Sequence, residues 1–530
     1  ESTLKTTFTP QITTDISFTG VLGFNYNQRV TDRLTNEGRR FITPGIYTLA
    51  NTAQQTFVAD DLYKRRIMGL FADATFGFRD YWFVTLSGRN DWSSTLPVES
   101  RSYFYPGVSS SFIFSDAFNI NSNILSYGKI RAAWAKVGRD TDPYNLANIY
   151  LIGTNFLGQP TGRVDTESRD PNLTPEFSNE IELGTELSFI NGRINLDFTW
   201  YDKTSTDLLA PVTVPVSSGY DTYFRNFGKV NNRGVEIALA VKPLSPTSAV
   251  KWQLSAAFTK NKNIVEELIE GTDRFALRGI LSGSVSTYLE PGLPFGYLRG
   301  TKSLRDDEGN LLINPATGGL IEDQSQEYLV GNPNPDFKLG INNVVSYKGF
   351  TLTALFDWTK GGDMYSVTNS SLLGRGVSKD TEMREYNAII PGVYGDPNTG
   401  QPILDGSGNK IPNQTRLTVN DLYFSPDPTL GQTFAINTAS EWNVYDATVY
   451  RLREVSLAYE LPQSLFNNFF VKGITVSVTG RNLWHLAPNF PKYSNFDPEV
   501  SSFGSSSSQG VELSAAPTTR RYGFNLVARF

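Results

Sequence analysis

The residues Arg521 to Phe530, RYGFNLVARF, alternate strictly, with Tyr522, Phe524, Leu526, Ala528 and Phe530 on one side and Arg521, Gly523, Asn525, Val527 and Arg529 on the other. A period of two sends these sets to opposite faces of one strand. The same dyad recurs upstream. Ile474, Val476 and Val478 oppose Thr475, Ser477 and Thr479; Ile194, Leu196, Phe198 and Trp200 oppose Asn195, Asp197, Thr199 and Tyr201. Val455, Leu457 and Tyr459 oppose Glu454, Ser456 and Ala458, and Ile181, Leu183 and Leu187 oppose Glu182, Gly184 and Glu186. One face suits hydrocarbon and the other suits water.

Periodicity and turn signals predict fifteen strands, at 2–9, 15–29, 63–79, 81–90, 104–115, 127–137, 177–190, 193–204, 229–242, 250–261, 336–347, 350–359, 450–461, 471–481 and 520–530. Short links (10–14, 79–80, 116–126, 191–192, 243–249, 348–349, 462–470) alternate with long ones (30–62, 91–103, 138–176, 205–228, 262–335, 360–449, 482–519). If consecutive strands are antiparallel neighbours, all short turns share one rim and all long loops the other. Transmembrane β-barrels have this asymmetry, and a soluble sandwich has no reason for it. Propellers need blades of similar length, and the intervals here are unequal.

Composition supports that class. The chain of 530 residues has 25 Tyr, 35 Phe and 45 Gly but only 39% hydrophobic residues. No apolar run is long enough for a membrane helix, whereas alternating strands escape such a scan. With no Cys, thiolate metal sites are excluded, and the single His485 makes His-rich metal centres and His-dependent catalysis poor readings. A net charge of -6 argues against nucleic acid as a partner.

Several segments resemble the C-terminal half of TonB-dependent outer-membrane transporters of the SusC/RagA-like group. They are GRNDWSSTLP (88–97), the stretch 172–209 from NLTPEFSNEIELG to YDKTSTDLL, FGKVNNRGVEI (227–237), FTKNKNIV (258–265), VGNPNPDFKLGI (330–341), YRLREVSLAYELP (450–462) and VTGRNLWHLAPNFPKYSNFDPEV (478–500). The resemblance implies an all-β transmembrane antiparallel barrel of about 22 strands, of which this chain supplies about fifteen. It implies that residues 1–530 are the C-terminal part of that barrel, with an N-terminal plug and the first strands lying outside this chain. The first residues, Glu1-Ser2-Thr3, already read as part of a strand, which fits that expectation.

By the same resemblance the protein lies in a Gram-negative, Bacteroidota-like outer membrane as a multi-pass barrel. It works with a SusD-like surface lipoprotein as lid, with the N-terminal plug portion of the same transporter, and with TonB through that portion. Its cargo is an oligosaccharide or oligopeptide, imported without covalent chemistry. Two other readings stay open: a siderophore or porin-type receptor without a lid, and a soluble secreted glycan-binding or hydrolytic β protein.

Candidate ligand contacts are aromatic and polar residues assigned to loops: Asn90, Asp91 and Trp92, then Tyr144, Tyr220, Tyr223, Tyr394 and Trp442. Aromatic faces stack on sugar rings or pack on peptide side chains, while amides and carboxylates orient the ligand; loop packing or rim anchoring is the plainer reading of each. No catalytic residue and no cofactor is predicted. Asp306 and Glu308 in DDEGN, and Asp405 and Asn409 in DGSGN, have spacing reminiscent of a structural calcium loop. The sixth position, where an EF-hand needs Gly, holds Leu311 and Lys410, so solvated turns are the better reading. Gly361-Gly362-Asp363 and Gly374-Arg375-Gly376 lack the setting of a phosphate loop, and nothing sets Glu266 and Glu267 across a cleft for glycoside hydrolysis.

Overall fold

The computed structural model describes residues 1–152, 157–159, 161–424, 439–466, 470–502 and 509–530, excepting 281–284. Its main feature is one antiparallel sheet of fifteen strands in sequence order. We number them β1 (Ser2–Phe8), β2 (Ile16–Phe41), β3 (Thr52–Phe78), β4 (Trp82–Ser93), β5 (Ser102–Phe112), β6 (Leu125–Arg139), β7 (Glu176–Phe189), β8 (Ile194–Thr206), β9 (Gly228–Val241), β10 (Lys251–Leu268), β11 (Pro335–Tyr347), β12 (Phe350–Gly361), β13 (Val449–Glu460), β14 (Gly473–Leu486) and β15 (Arg521–Arg529). Each corresponds to a strand expected from the dyad pattern.

By packing, the chain falls into two units: Glu1–Ile113 with Arg131–Glu182 and Lys203–Lys229, and Phe114–Ile130 with Leu183–Asp202 and Val230–Phe530. In the first, register aligns Leu4, Phe24, Leu70, Asn90 and Phe104 in one row across β1 to β5, and Thr3, Asn25, Gly69, Asp91 and Tyr103 in the adjacent row on the other face. In the second, Trp252, Val345, Leu352, Leu457, Val478 and Phe524 form a row, beside Gln253, Val344, Thr353, Ser456, Thr479 and Gly523. The apolar rows are open to the surroundings: Leu4 is 77% exposed, Val478 58% and Phe524 66%. A soluble sheet would bury these side chains.

Aromatic residues stand at both ends of single apolar rows: Trp82 and Trp92 on β4, Phe350 and Trp358 on β12, Tyr459 and Tyr450 on β13. Eight to ten residues at about 3.3 Å each, tilted by about 40°, cover roughly 20–25 Å, the height of an outer-membrane apolar band flanked by aromatic girdles. The short turns are compact. Lys348 and Gly349, at φ 45° and 84°, form a two-residue left-handed turn between Tyr347 and Phe350, the arrangement that matches strand twist.

Conventional hydrophobic packing occurs instead in the long connections. Leu96 and Leu173 close over Tyr103 in the first unit. In the second, Val285, Leu298, Tyr365 and Val511 form one cluster and Ile313, Ile390, Leu417 and Leu422 another. These connections carry short strands of their own, including Val285–Leu289, Tyr297–Ser303 and Glu322–Gly331, which the dyad pattern did not reveal.

Two expected long links are corrected. The stretch 30–62 is mostly strand: β2 and β3 continue as a hairpin closed by the short connection 42–51. Link 91–103 shrinks to 94–101 because β4 runs to Ser93 and β5 begins at Ser102. Charged residues break the hydrophobic alternation in both places, yet hydrogen-bond pairing with the partner strand continues without it.

Arginine at Leu196, in the apolar row of β8, is expected to lower barrel stability by roughly 2–4 kcal/mol, while arginine at Thr199, on the opposite face, costs far less. Urea midpoints in lipid vesicles measure the difference; equal losses at both positions would contradict the face assignment.

Candidate binding site on the polar face

The proposed site residues are dispersed. Asn90, Asp91 and Trp92 lie on β4 and not in a loop, so alternation splits them: Asn90 and Trp92 join the apolar rows and Asp91 the polar face. Trp92 aligns with Tyr26 and Met68, the position of an interfacial anchor. The Asp91 carboxylate accepts hydrogen bonds from Tyr105 Oη at 2.6 Å and Arg89 Nε at 2.8 Å. With Glu1, Asn25, Phe71 and Arg89 it lines a recess of ≈ 440 Å³.

Tyr144 sits beside Tyr63, its hydroxyl accepting from the Lys64 N–H at 3.3 Å. Tyr220 accepts from Asn148 Nδ2 at 3.2 Å. Tyr223 belongs to the short strand Thr222–Asn226, and burial, aided by the Asp170 carboxylate, pushes its phenol up. In the second unit, Tyr394 Oη pairs with Thr415 Oγ1 at 3.1 Å and accepts from the Gln414 N–H. Trp442 donates its indole N–H to Ser303 Oγ at 2.8 Å, pinning Ser440–Asn443 to strand Tyr297–Ser303. Tyr144, Tyr220 and Tyr223 thus make their contacts within the first unit, and Tyr394 and Trp442 make theirs within the second.

The two acidic turns are joined. Asp306 accepts from the N–H groups of Glu308 and Asn310 at 3.0 and 2.8 Å, and Asp405 from those of Ser407 and Asn409 at 2.8 and 2.9 Å. Lys410 Nζ, from the second turn, reaches Asp306 at 2.9 Å, Asp307 at 2.5 Å and Glu308 at 3.4 Å. The Lys410 ammonium thus bridges three carboxylates and offsets one of their three charges. Burial would raise the Asp306 carboxyl, but Asn310 and Lys410 together with backbone N–H groups hold it at about 2.

Sequence reasoning named no cavity, yet three family-like segments meet around one. A recess of ≈ 400 Å³ in the second unit is lined by Pro333, Pro335 and Lys338 of VGNPNPDFK, Arg451 and Arg453 of YRLRE, and Pro498 and Glu499 of NFDPE, together with Asp357 and Gly361-Gly362-Asp363. Arg453 Nε donates to Asp357 at 2.5 Å, and its two terminal nitrogens bind Glu499 at 2.8 Å each. Behind it, buried Arg451 pairs with Asp497. Burial opposes ionisation of Asp497, but Arg451 and the Thr518 hydroxyl hold it below the usual carboxylate range. The GGD turn closes one side: Gly361 and Gly362 adopt φ 71° and 78°, and Asp363 Oδ2 accepts from the Asn332 N–H at 2.7 Å. A β-carbon at Gly361 would meet Asp336, so the glycine is needed for the close approach.

A second buried carboxylate organises the first unit. Asp140, just past β6, accepts from Arg65, Ser93 Oγ and Thr95 Oγ1, which gives the SST of GRNDWSST its role. These arrangements brace the loops, and among the described residues no group of three or more metal-ligating side chains occurs.

The comparisons agree with this geometry. The TonB dependent receptor-like, beta-barrel family model matches residues 2–483, and the chain belongs to that family. It is 26% identical to TonB-dependent receptor P26 of Formosa agariphila over 92% of this chain and 48% of that protein, and 22% identical to TonB-dependent receptor SusC of Bacteroides thetaiotaomicron over 88% and 44%. The chain therefore spans about half the length of these relatives. The solved RagAB peptide transporter superposes with a TM-score of 0.74 at 18% identity, covering 99% of this chain and 54% of that one. The exposed apolar rows are thus the lipid-facing side of an outer-membrane barrel wall, and the family is one of transporters, not enzymes.

Asp140→Asn leaves the half-buried Arg65 charge without its carboxylate and is expected to destabilise the surrounding loops by about 1–3 kcal/mol, read as faster proteolysis within 94–101 and 141–152. The depressed Asp306 carboxyl stabilises the joined turns fully above about pH 4, its unfolded value, and loses that contribution as pH falls through about 2. Proteolytic protection of the turns should accordingly be as strong at pH 4.5 as at pH 7, and Lys410→Met should abolish it at both.

Proposed function

We propose that this chain is the wall and loop portion of an energised outer-membrane importer for a nutrient too large for ordinary porins. The observation that carries the reading is the pairing of exposed apolar rows with an opposite polar face, which in the second unit holds the Arg451–Arg453 recess. A wide barrel would leak if left open, so the working transporter includes an N-terminal plug portion, moved by TonB. That portion belongs to the rest of the same transporter, in keeping with relatives about twice as long. A SusD-like surface lipoprotein acts as the lid over the loops.

Of the two cargo classes, we favour an oligopeptide over an oligosaccharide. The recess sets Lys338 beside the Asp357–Arg453–Glu499 bridge, a mixed-charge wall whose pairs can exchange with peptide termini and charged side chains, whereas neutral sugars are held by aromatic platforms and amides. The structural likeness to a peptide transporter is in the same direction. A lidless siderophore-type receptor is the alternative.

The test is mass spectrometry of cargo retained by the transporter purified with its partners from native membranes. Oligopeptides, together with a co-purifying lipoprotein, are expected; a bound glycan or metal chelate sinks the peptide reading, and persistent isolation sinks the lid. Arg453→Ala, which takes the bridge from Asp357 and leaves Glu499 to Arg451 alone, should reduce peptide uptake about tenfold, the cost of one charge-assisted contact.

A further inference from the structure

Strands β8 to β13 are interior strands of the sheet, and on their lipid-facing side the apolar rows end toward the long connections in a line of rings. Register aligns Phe258, Leu339, Trp358, Tyr450 and Leu486. Phe337, two residues farther out on β11, meets Phe258 at 5.5 Å and Trp358 at 4.7 Å, and Trp358 stacks on Tyr450 at 5.5 Å. Such rings mark the level at which hydrocarbon gives way to headgroups.

Beyond that line β10 carries Lys260 and Lys262. Alternation from Trp252 and Phe258 puts both on the lipid side. Asn261, between them, takes the polar face, where its Nδ2 donates to Asn232 Oδ1 at 3.0 Å and its Oδ1 accepts from Tyr201 Oη at 3.1 Å. With a strand tilt of about 40°, the two lysines stand roughly 5 and 10 Å above the rings, at headgroup level. Both are exposed, and among the described residues neither has a carboxylate partner. Their neighbours do: Arg233 Nε donates to Asp202 at 2.8 Å, and Lys360 Nζ lies 3.7 Å from Asp446. Asp202 is already taken, since Asn231 Nδ2 also donates to it at 2.6 Å. The next acid on this face of β10, Glu266, lies about 13 Å past Lys262. Two unpaired ammonium groups, two residues apart on flexible stems, can therefore close on one phosphate.

We propose that Lys260 and Lys262 bind the phosphate of a phosphorylated glycolipid in the outer leaflet, its acyl chains lying against the Phe258, Phe337 and Trp358 rings. The long connections of an outer-membrane barrel face the outside, so this end of the lipid-facing rows meets the outer leaflet. Unpaired positive charge at that level selects an anionic headgroup. The adjoining rings select a phosphate anchored in the membrane over a free one. The site lies on the outside of the wall, away from the Arg453 recess, and holds whatever the cargo.

The complete transporter, purified from its native membranes and placed in phosphatidylethanolamine vesicles containing a little lipid A, tests this, with retained lipid counted by native mass spectrometry. Wild type should retain phosphorylated lipid A, and about tenfold less lipid A stripped of its phosphates. Lys260→Glu combined with Lys262→Glu should lower retention of the phosphorylated form about tenfold, with heat-modifiable barrel mobility unchanged, while arginine at both positions should keep it. Lys251→Glu, at an exposed cation on the polar face, controls for net charge and should leave retention as it is. No lipid A on the wild type, equal retention of the stripped lipid, wild-type retention by the glutamate pair, or an equal loss with Lys251→Glu overturns the proposal. Displacement of the lipid by inorganic phosphate also overturns it, since the site would then be one for the free ion.

Discussion

Backbone N–H and C=O groups have no water to bond in hydrocarbon, so every strand that crosses a bilayer must be paired along its length. That requirement explains why fifteen strands follow one another in sequence order with antiparallel register. Sequential hairpins pair each new strand with the one just made, and no distant segment has to be found. It also explains why side chains are sorted so strictly by face: once pairing is compulsory, alternation alone decides what meets lipid. A single-residue slip would put Thr353 and Ser456 into the bilayer and Leu352 and Leu457 onto the wet side.

Freed from making a core beneath the sheet, the chain makes its cores elsewhere. The long connections supply enough apolar residues to bury Leu298, Leu312 and Ile313 completely, and they are fastened to the strand ends by charged knots. Asp140 gathers Arg65, Ser93 and Thr95; Arg453 bridges Asp357 and Glu499; Lys410 ties two acidic turns. Each knot is partly or wholly covered, where charge pairs are screened less and a missing partner is expensive. Loops held this way can carry a shaped surface over a polar wall, which open solvated loops could not.

The strands were legible because their signal is local. Leu196, Val476 and Leu526 declare a face through their immediate neighbours, and Lys348-Gly349 declares a turn by itself. Loop-borne sites were not legible, for two physical reasons. Pairing can continue where hydrophobic alternation stops, so the charged stretch of β2 and β3 read as a loop, and Trp92, assigned to a loop, stands in a lipid-facing row. Convergence is also a long-range event: Lys338, Arg453 and Glu499 lie far apart in the chain, and nothing in their separate segments says that their side chains share one recess.

Sequence by itself therefore determined the class of fold, the order of the strands and the sidedness of the wall, since a period of two is written residue by residue. Tertiary structure alone decided which polar residues face one another and where the loop cores lie. These depend on contacts between residues whose separation along the chain hides their separation in space.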